Sequence, residues 1–271
     1  MMINTLYFSA TDTTKKVVYG IANKIAMNIS GEPTINNIDF TLPEARKNTL
    51  SFAKEDLVLV GVPVYAGRLP NVLLKFLNSI TGNGALAIAV VVYGNRDYDD
   101  ALIELKDILA AHDFTVVAGA AFIGEHSFSK TLGANRPDEK DMMIMNDFAN
   151  RVVAKINSPA IFQTIDVKGN VPYRKYYVPK NKNGEPVNDF RMIRPKTKVD
   201  CIDCKLCAEI CPMGSIALED VSKINGICIK CCACIKKCPT QAKYIDDENY
   251  LKHQHELELA FTYRREPELF I

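Results

Sequence analysis

Residues 85–93 read ALAIAVVVY, a run in which every side chain is apolar and most are small or β-branched. A strand with one solvated face alternates apolar and polar residues, so an unbroken apolar run predicts a strand buried on both faces. Further strand-like runs lie at residues 2–8, 57–62 and 114–123, with a weaker one at 35–38. Apolar spacing predicts helices between them, at 15–28, from Pro70 onward, at 98–111 and at 138–156. Strands that alternate with helices predict a parallel sheet covered on both sides.

Five predicted strands lie within about 155 residues, which suits an α/β fold with a doubly wound parallel sheet in the order 2-1-3-4-5. A different small open α/β sheet is the alternative. In such sheets the loops after the carboxyl ends of the strands carry the ligands. Residues 9–14, 63–70 and 93–100 are loops of that kind and are the candidates for a binding site.

The composition is that of an ordinary globular chain: 48% of residues are hydrophobic, 24% are charged and the formal net charge is +1. Nothing in that balance points to nucleic acid or to a charged membrane surface. The longest apolar run, residues 85–93, is too short to span a bilayer, and the first residues lack the features of a secretory signal. We therefore expect a cytoplasmic protein without membrane insertion or nucleic-acid binding.

All nine cysteines lie within residues 201–238, and eight of them form a repeat. The pattern C-x2-C-x2-C-x3-C-P starts at Cys201 and again 27 residues later at Cys228. Three thiolates two residues apart can hold three corners of an iron–sulfur cube, while the proline turns the fourth toward another cluster. The spacing therefore predicts two [4Fe–4S] clusters with crossed ligands. The predicted ligand sets are Cys201, Cys204, Cys207 and Cys238 for one cluster, and Cys228, Cys231, Cys234 and Cys211 for the other.

A pair of zinc sites is the alternative for these cysteines, but zinc sites usually pair two C-x2-C motifs across a longer spacer. The ninth cysteine, Cys232, lies outside the repeat and is interpreted as a passive thiol, with a substitute ligand or a reactive thiol as alternatives. Apolar residues between the ligands are expected to keep water from the sulfurs. They are Ile202, Leu206, Ile210, Ile216, Ile227, Ile229 and Ile235.

These patterns divide the chain into a first domain at residues 1–156, a connector at 157–199, a cluster domain at 200–247, and a helix and tail at 248–271. Residues 168–198 carry nine Lys or Arg and two acids, a net charge of +7. Tyrosines in the connector indicate that it packs on the first domain, and a solvated linker is the alternative. The last helix is predicted at 246–263, with Leu251, Leu257 and Phe261 buried and His253 at the surface.

With these motifs in place, residues 200–245 resemble a bacterial-type two-cluster ferredoxin, and residues 1–156 resemble a flavodoxin. The whole chain is similar to a family of flavodoxin–ferredoxin fusion proteins from anaerobic bacteria. The resemblance implies a flavodoxin-like α/β domain followed by a small α+β domain of the 2[4Fe–4S] type. It also implies FMN, bound by the three loops named above. The implied FMN contacts are Ser9, Thr11, Asp12, Thr13, Thr14, Pro63, Val64, Tyr65, Ala66, Gly67, Arg68, Tyr93, Gly94, Asn95, Arg96 and Tyr98.

The resemblance also implies roles within these loops. The hydroxyls and N–H groups of residues 9–14 would bind the FMN phosphate, helped by the helix N-terminus behind them. Asp12 stands where flavodoxins usually have glycine, and its carboxylate suits a phosphate only if it points outward. Tyr65 and either Tyr98 or Tyr93 would stack on the flavin ring. An arginine, Arg68 or Arg96, would stabilise the anionic reduced flavin.

Three functions are consistent with the sequence. The first is an electron-transfer protein that relays electrons between FMN, two clusters and an external redox partner protein. The second is a flavin-dependent reductase of a small molecule, although no G-x-G-x-x-G nicotinamide fingerprint is present. The third is a protein with an empty flavodoxin-like domain, which is either a plain ferredoxin or not an electron carrier at all, with structural or sensory clusters. The basic connector is a candidate surface for an acidic redox partner.

Overall fold

A computed structural model describes residues 1–31 and 33–271, and its larger sheet contains the five predicted strands in the predicted order. Their bounds are β1 Met2–Tyr7, β2 Thr34–Asp39, β3 Leu57–Pro63, β4 Leu86–Tyr93 and β5 Thr115–Ile123. Neighbouring strands are parallel, with Leu6 beside Val60 and Val60 beside Ala89 at the centre. The order β2-β1-β3-β4-β5 confirms the doubly wound sheet, and the carboxyl ends of its strands form one rim.

Helices cover both faces of this sheet. They are α1 (Thr13–Asn28) and α4 (Glu139–Ile156) on one face, and α2 (Asn71–Leu77) and α3 (Ala101–Ala111) on the other. The apolar stripe predicted for α1 has no exposed surface at Val18, Ile21, Ala22 and Ile25. Burying each large apolar side chain contributes about 1.5–3 kcal/mol. Helix α3 begins three residues later than predicted, because the Asp97 carboxylate accepts the Asp99 N–H and holds a turn there.

The C-terminal tail adds a strand that the sequence did not predict. Strand β8 (Glu268–Phe270) pairs antiparallel with β5, opposite Gly119 to Ala121. The tail thereby covers the edge of the sheet, which would otherwise present unpaired backbone groups. The hydroxyl of Tyr98 donates to the Glu268 carboxylate at 2.8 Å and anchors the strand.

The connector runs along the first domain with two short 3-10 turns, Pro159–Phe162 and Phe190–Met192. Asp100, fully buried, accepts hydrogen bonds from the backbone N–H groups of Asn170 at 2.9 Å and Arg174 at 2.6 Å. The Tyr173 hydroxyl donates to Asp107, and the Tyr176 hydroxyl donates to a backbone carbonyl. These bonds tie the connector to α3 and its flanking loop.

The cysteine repeat forms two matching structural units. Each contains a single helical turn, α5 (Leu206–Glu209) and α6 (Ala233–Lys236), and these lie 27 residues apart like the cysteines. The residue before each turn, Lys205 and Cys232, has a left-handed backbone. The strands β6 (Lys196–Thr197) and β7 (Lys243–Tyr244) pair antiparallel beside them. The repeat in sequence is thus a repeat in backbone conformation.

The last helix, α7, spans Glu248–Ala260, and Asp247 caps it by accepting the N–H groups of Asn249 and Tyr250. Its buried side is Tyr250, His253 and Leu257. The predicted burial of Leu251 is therefore wrong, and so is the surface position of His253, because the helix packs on an aromatic cluster around Phe128 and Phe190. Within the described residues, no helix is both long and apolar enough to cross a bilayer.

Candidate functional site

Two cavities lie in the cysteine-rich region, and each is lined by four cysteines of the repeat. The outer cavity is lined by Cys201, Cys204, Cys207 and Cys238. The inner cavity is lined by Cys211, Cys228, Cys231 and Cys234, with Cys232 beside them. Each cavity therefore combines three cysteines of one copy with the fourth cysteine of the other.

The two cavities differ in their exposure. At the outer cavity Cys204 is exposed, and Ile202 beside it is 63% exposed. At the inner cavity Cys231 is 8% exposed, and Cys231 and Ala233 belong to the same apolar core as the sheet. The inner cavity thus faces the first domain, and the outer cavity faces solvent.

The fourth cysteine of each copy accepts a backbone N–H at its sulfur. Ser215 donates to Cys211 Sγ at 3.4 Å, and Ala242 donates to Cys238 Sγ at 3.3 Å, each from four residues further along. Bonds of this kind stabilise a thiolate. Burial raises the pKa of Cys231 to about 12, so that sulfur is a stable thiolate only beside positive charge.

Four thiols around an apolar cavity are the donor set that an iron–sulfur cluster requires. The lining of the inner cavity is otherwise mostly apolar and includes Ile216, Ile224, Ile229 and Ile245. In the part of the chain that the structure describes, no group of three or more His, Cys, Asp or Glu side chains is arranged to hold a metal ion. The number and kind of the thiol donors at the two cavities fit two [4Fe–4S] clusters.

The apolar residues expected to shield the sulfurs divide into two groups. Ile216 is buried, while Leu206, Ile210, Ile229 and Ile235 are partly buried. Ile202 and Ile227 are more than 60% exposed and do not exclude water. Cys232 lies buried beside the inner cavity, with its sulfur 3.4 Å from the Tyr250 hydroxyl.

On the sheet rim, the loop at residues 9–14 leads into α1. The Ser9 hydroxyl accepts the Lys15 N–H at 3.0 Å, while the N-cap residue Asp12 gives no side-chain hydrogen bond to the first turn. The N–H groups at the start of an α-helix have no partner within the helix and suit an anion. Asp12 is left-handed at φ 64°, which Asp tolerates, and its carboxylate pairs with Lys237 at 2.7 Å. The outward orientation required beside a phosphate is therefore present.

The loop at residues 63–70 contains a tight turn, with Ala66 at φ 53° and Gly67 at φ 78°. Tyr65 packs, partly buried, against the apolar core that contains Cys231. Burial and the thiols of Cys231 and Cys232 raise its pKa. Arg68 forms a two-bond salt bridge with Glu104 and lies over the ring of Tyr173 at 4.7 Å. The arginine is thus engaged in holding the connector. Pro63 and Val64 are partly buried at the base of this loop.

The loop at residues 93–100 is covered by the C-terminal tail. Asn95 donates to the carbonyls of Phe261 and Tyr263, both at 2.8 Å. Arg96 pairs with Asp99. Gly94 packs tightly against His126, whose ring would collide with any side chain there. Burial lowers the pKa of His126 to about 3, so its imidazole is neutral at pH 7.

The two tyrosines expected to stack on a flavin from this loop lie elsewhere. Tyr93 and Tyr98 are at most 3% exposed and pack against each other in the core. Their ring faces are not available to a ligand at the rim, so Tyr65 alone of the three lies there. The residues present fit the phosphate end of FMN, but these tyrosines do not provide a second wall for its ring.

Two lysines that the sequence did not mark join the cysteine-rich region to the rim. Lys236 forms an ion pair with Glu125 and donates to the carbonyls of His126 at 2.7 Å and Ser129 at 3.1 Å. Lys237 forms the ion pair with Asp12 described above. Both lie on or just after α6, so one helical turn holds the inner cavity against the loops that follow β1 and β5.

No family model matches this chain, and no curated protein does. Among solved structures, a flavodoxin from the domain Archaea is similar at 18% identity, with 58% of this chain and 100% of that chain covered and a TM-score of 0.41. A flavodoxin from Streptococcus pneumonia TIGR4 is similar at 17% identity, covering 57% and 99%, with a TM-score of 0.41. Flavodoxin 2 from Bacillus cereus is 15% identical over 58% and 99%, with a TM-score of 0.42. The fold assignment rests on the strand order and register given above.

Proposed function

We propose that this chain is an electron-transfer protein that holds two [4Fe–4S] clusters, one in the outer and one in the inner cavity. The observation that carries the proposal is the composition of the two cavities. Each is lined by four cysteines, three from one copy of the repeat and the fourth from the other copy. This is the crossed arrangement that the repeat predicts for a pair of clusters.

A [4Fe–4S] cluster supplies reversible one-electron transfer, and the chain supplies its surroundings. The backbone N–H groups of Ser215 and Ala242 stabilise the sulfurs of the crossed ligands. Packing on the first domain buries Cys231 of the inner quartet. The exposed Cys204 makes the outer quartet the side at which an external redox protein exchanges electrons.

The experiment is quantification of iron, acid-labile sulfide and flavin on anaerobically purified protein, with absorbance and EPR spectra of the dithionite-reduced form. We expect about eight iron and eight sulfide per chain, since each cluster contains four of each. Zinc in place of iron, or iron without sulfide, would contradict the proposal.

A second candidate, a relay that also contains FMN, is favoured by one observation. The start of α1, whose N-cap residue Asp12 turns its carboxylate outward to Lys237, and the Ser9 hydroxyl, which accepts the Lys15 N–H, form an anion cradle on the rim. The relay is supported if the wild-type protein contains flavin, if Thr11→Asp loses it, and if Thr262→Asp, a control at an exposed site, retains it. Absence of flavin would leave the two-cluster carrier without it.

A further inference from the structure

Lys243 is a buried lysine at the wall of the outer cavity. Its residue is 2% exposed, and its ammonium donates to the Thr197 hydroxyl at 2.7 Å and to the Val221 carbonyl. Both acceptors are neutral. Across residues 1–31 and 33–271, it forms no ion pair with a carboxylate. A charged group buried without a counter-charge is strongly destabilising.

Lys230 repeats this situation at the inner cavity. It is 7% exposed, lines the cavity and lies over the Phe190 ring at 5.3 Å. Burial lowers its pKa, and the neighbouring thiols of Cys228 and Cys232 act in the opposite direction. The described chain gives this ammonium no carboxylate partner either.

The two lysines are not products of the cysteine repeat. The residue 27 positions before Lys230 is Asp203, which is exposed and pairs with Lys205. The residue 27 positions before Lys243 is Ile216. Both lysines therefore come from the second copy, yet each lines a different cavity. Lys243 lines the outer cavity because Cys238, the fourth cysteine of the second copy, lies there, and β7 comes five residues after it.

We propose that Lys243 and Lys230 are the resident counter-charges of the outer and inner clusters, and that each stabilises the reduced state of its own cluster. This assignment rests on the proposed function. Reduction adds one electron to a cluster from an external one-electron donor, and no proton moves and no bond breaks. The added negative charge is attracted by a buried ammonium, so that lysine raises the reduction potential.

The test is an EPR-monitored redox titration of the anaerobically purified holoprotein and of Lys243→Met, Lys243→Gln and Lys230→Met. Lys205→Met is the control, because Lys205 also lines the outer cavity but pairs with Asp203 at 2.7 Å. Lys243→Gln keeps N–H donors for Thr197 and Val221 while removing the charge. It separates an effect of charge from an effect of packing.

We expect both Lys243 variants to lower one midpoint potential, and Lys230→Met to lower the other. The expected change is about tenfold in the reduction equilibrium, which is about 59 mV for one electron. Lys205→Met should change the midpoint potentials by less than the Lys243 variants or Lys230→Met. Loss of one cluster in both Lys243 variants, with the other cluster retained, would equally support a counter-charge.

The assignment is overturned if the Lys243 and Lys230 variants change the midpoint potentials by no more than Lys205→Met does. So would a shift of the same midpoint by Lys243→Met and Lys230→Met, or an effect of Lys243→Met that Lys243→Gln does not share. A wild-type protein without iron and sulfide would instead contradict the proposed function. Intact wild-type clusters with unmoved potentials would therefore sink the lysine assignment alone.

Discussion

The outer and inner cavities share one repeat and one backbone conformation, yet their surroundings differ. At the outer cavity Cys204 is exposed, and Cys207 packs into a small apolar cluster of the cysteine-rich region itself. At the inner cavity Cys231 packs into the core of the first domain. Because water and charge set cluster potentials, two identical ligand patterns can have different redox properties. The larger domain thus acts as part of the environment of one site and not of the other.

The largest expected effect separates the two sites by their ligands. In the crossed arrangement, Cys211→Ser with Cys228→Ser damages only the inner site, so about half of the iron remains. Cys201→Ser with Cys211→Ser damages both sites and removes nearly all of it. If each copy instead held its own cluster, the two double variants would exchange these results. Iron and sulfide analysis decides between the arrangements, with Cys232→Ser as a control that keeps full iron content.

The next effect concerns the contact between α6 and the rim. Lys236→Ala removes an ion pair and two hydrogen bonds to carbonyls at a mostly buried side chain. The contact between α6 and the loop after β5 should therefore become weaker by about 2–3 kcal/mol. The matched control is the adjacent Lys237→Ala, whose more exposed pair with Asp12 is worth less than about 1 kcal/mol.

Iron release to a chelator under anaerobic conditions measures this docking. We expect iron to leave in two phases, with the iron of the inner site in the slower one. In Lys236→Ala this slower release should accelerate, while in Lys237→Ala it should stay near the wild-type rate. Equal rates in the two variants would mean that α6 does not protect the inner site.

A smaller effect concerns the connector and acid. Burial raises the pKa of Asp100, but hydrogen bonds from Arg174 and Asn170 outweigh it, and the net pKa lies below its usual value. A lowered folded-state pKa gives stability that is present above the unfolded pKa of about 3.9 and is lost as the pH falls through the folded value. The connector should therefore loosen in acid, below about pH 4.

Hydrogen exchange at the Asn170 and Arg174 amides measures the loosening. Asp100→Asn should speed exchange at one of the two amides already at neutral pH, at a cost of about 1–3 kcal/mol, because its single side-chain oxygen cannot accept from both Asn170 and Arg174. Protection in that variant equal to wild type would exclude Asp100 as the anchor of the connector.

The sequence predicted what depends on local pattern and missed what depends on distant partners. Apolar runs located β1, β3, β4 and β5, since a strand buried on both faces needs apolar residues throughout. The edge strand β2 has mostly exposed side chains and gave only a weak signal at residues 35–38. The same rule could not find β8, whose three residues form a strand only because β5 offers an edge. No local pattern marks Lys236 or Lys237, and only the folded chain brings Glu125 and Asp12 to them. Tyr98 read as a loop aromatic, and its burial depends on Glu268, which is 170 residues away.

The smallest expected effect concerns the partner proposed for the basic connector. Lys180, Lys182 and Arg191 are exposed, whereas Arg194 is engaged by the carbonyls of Ile224 and Gly226 and should be left unchanged. Reversing the three exposed charges should slow electron transfer to a strongly acidic rubredoxin severalfold at low salt. The difference should vanish at high salt, because screening removes steering between exposed charges. A matched reversal of three exposed lysines outside the connector, Lys54, Lys75 and Lys140, controls for net charge. An equal slowing there would show that overall charge, and not the connector, guides the acidic protein to the outer site.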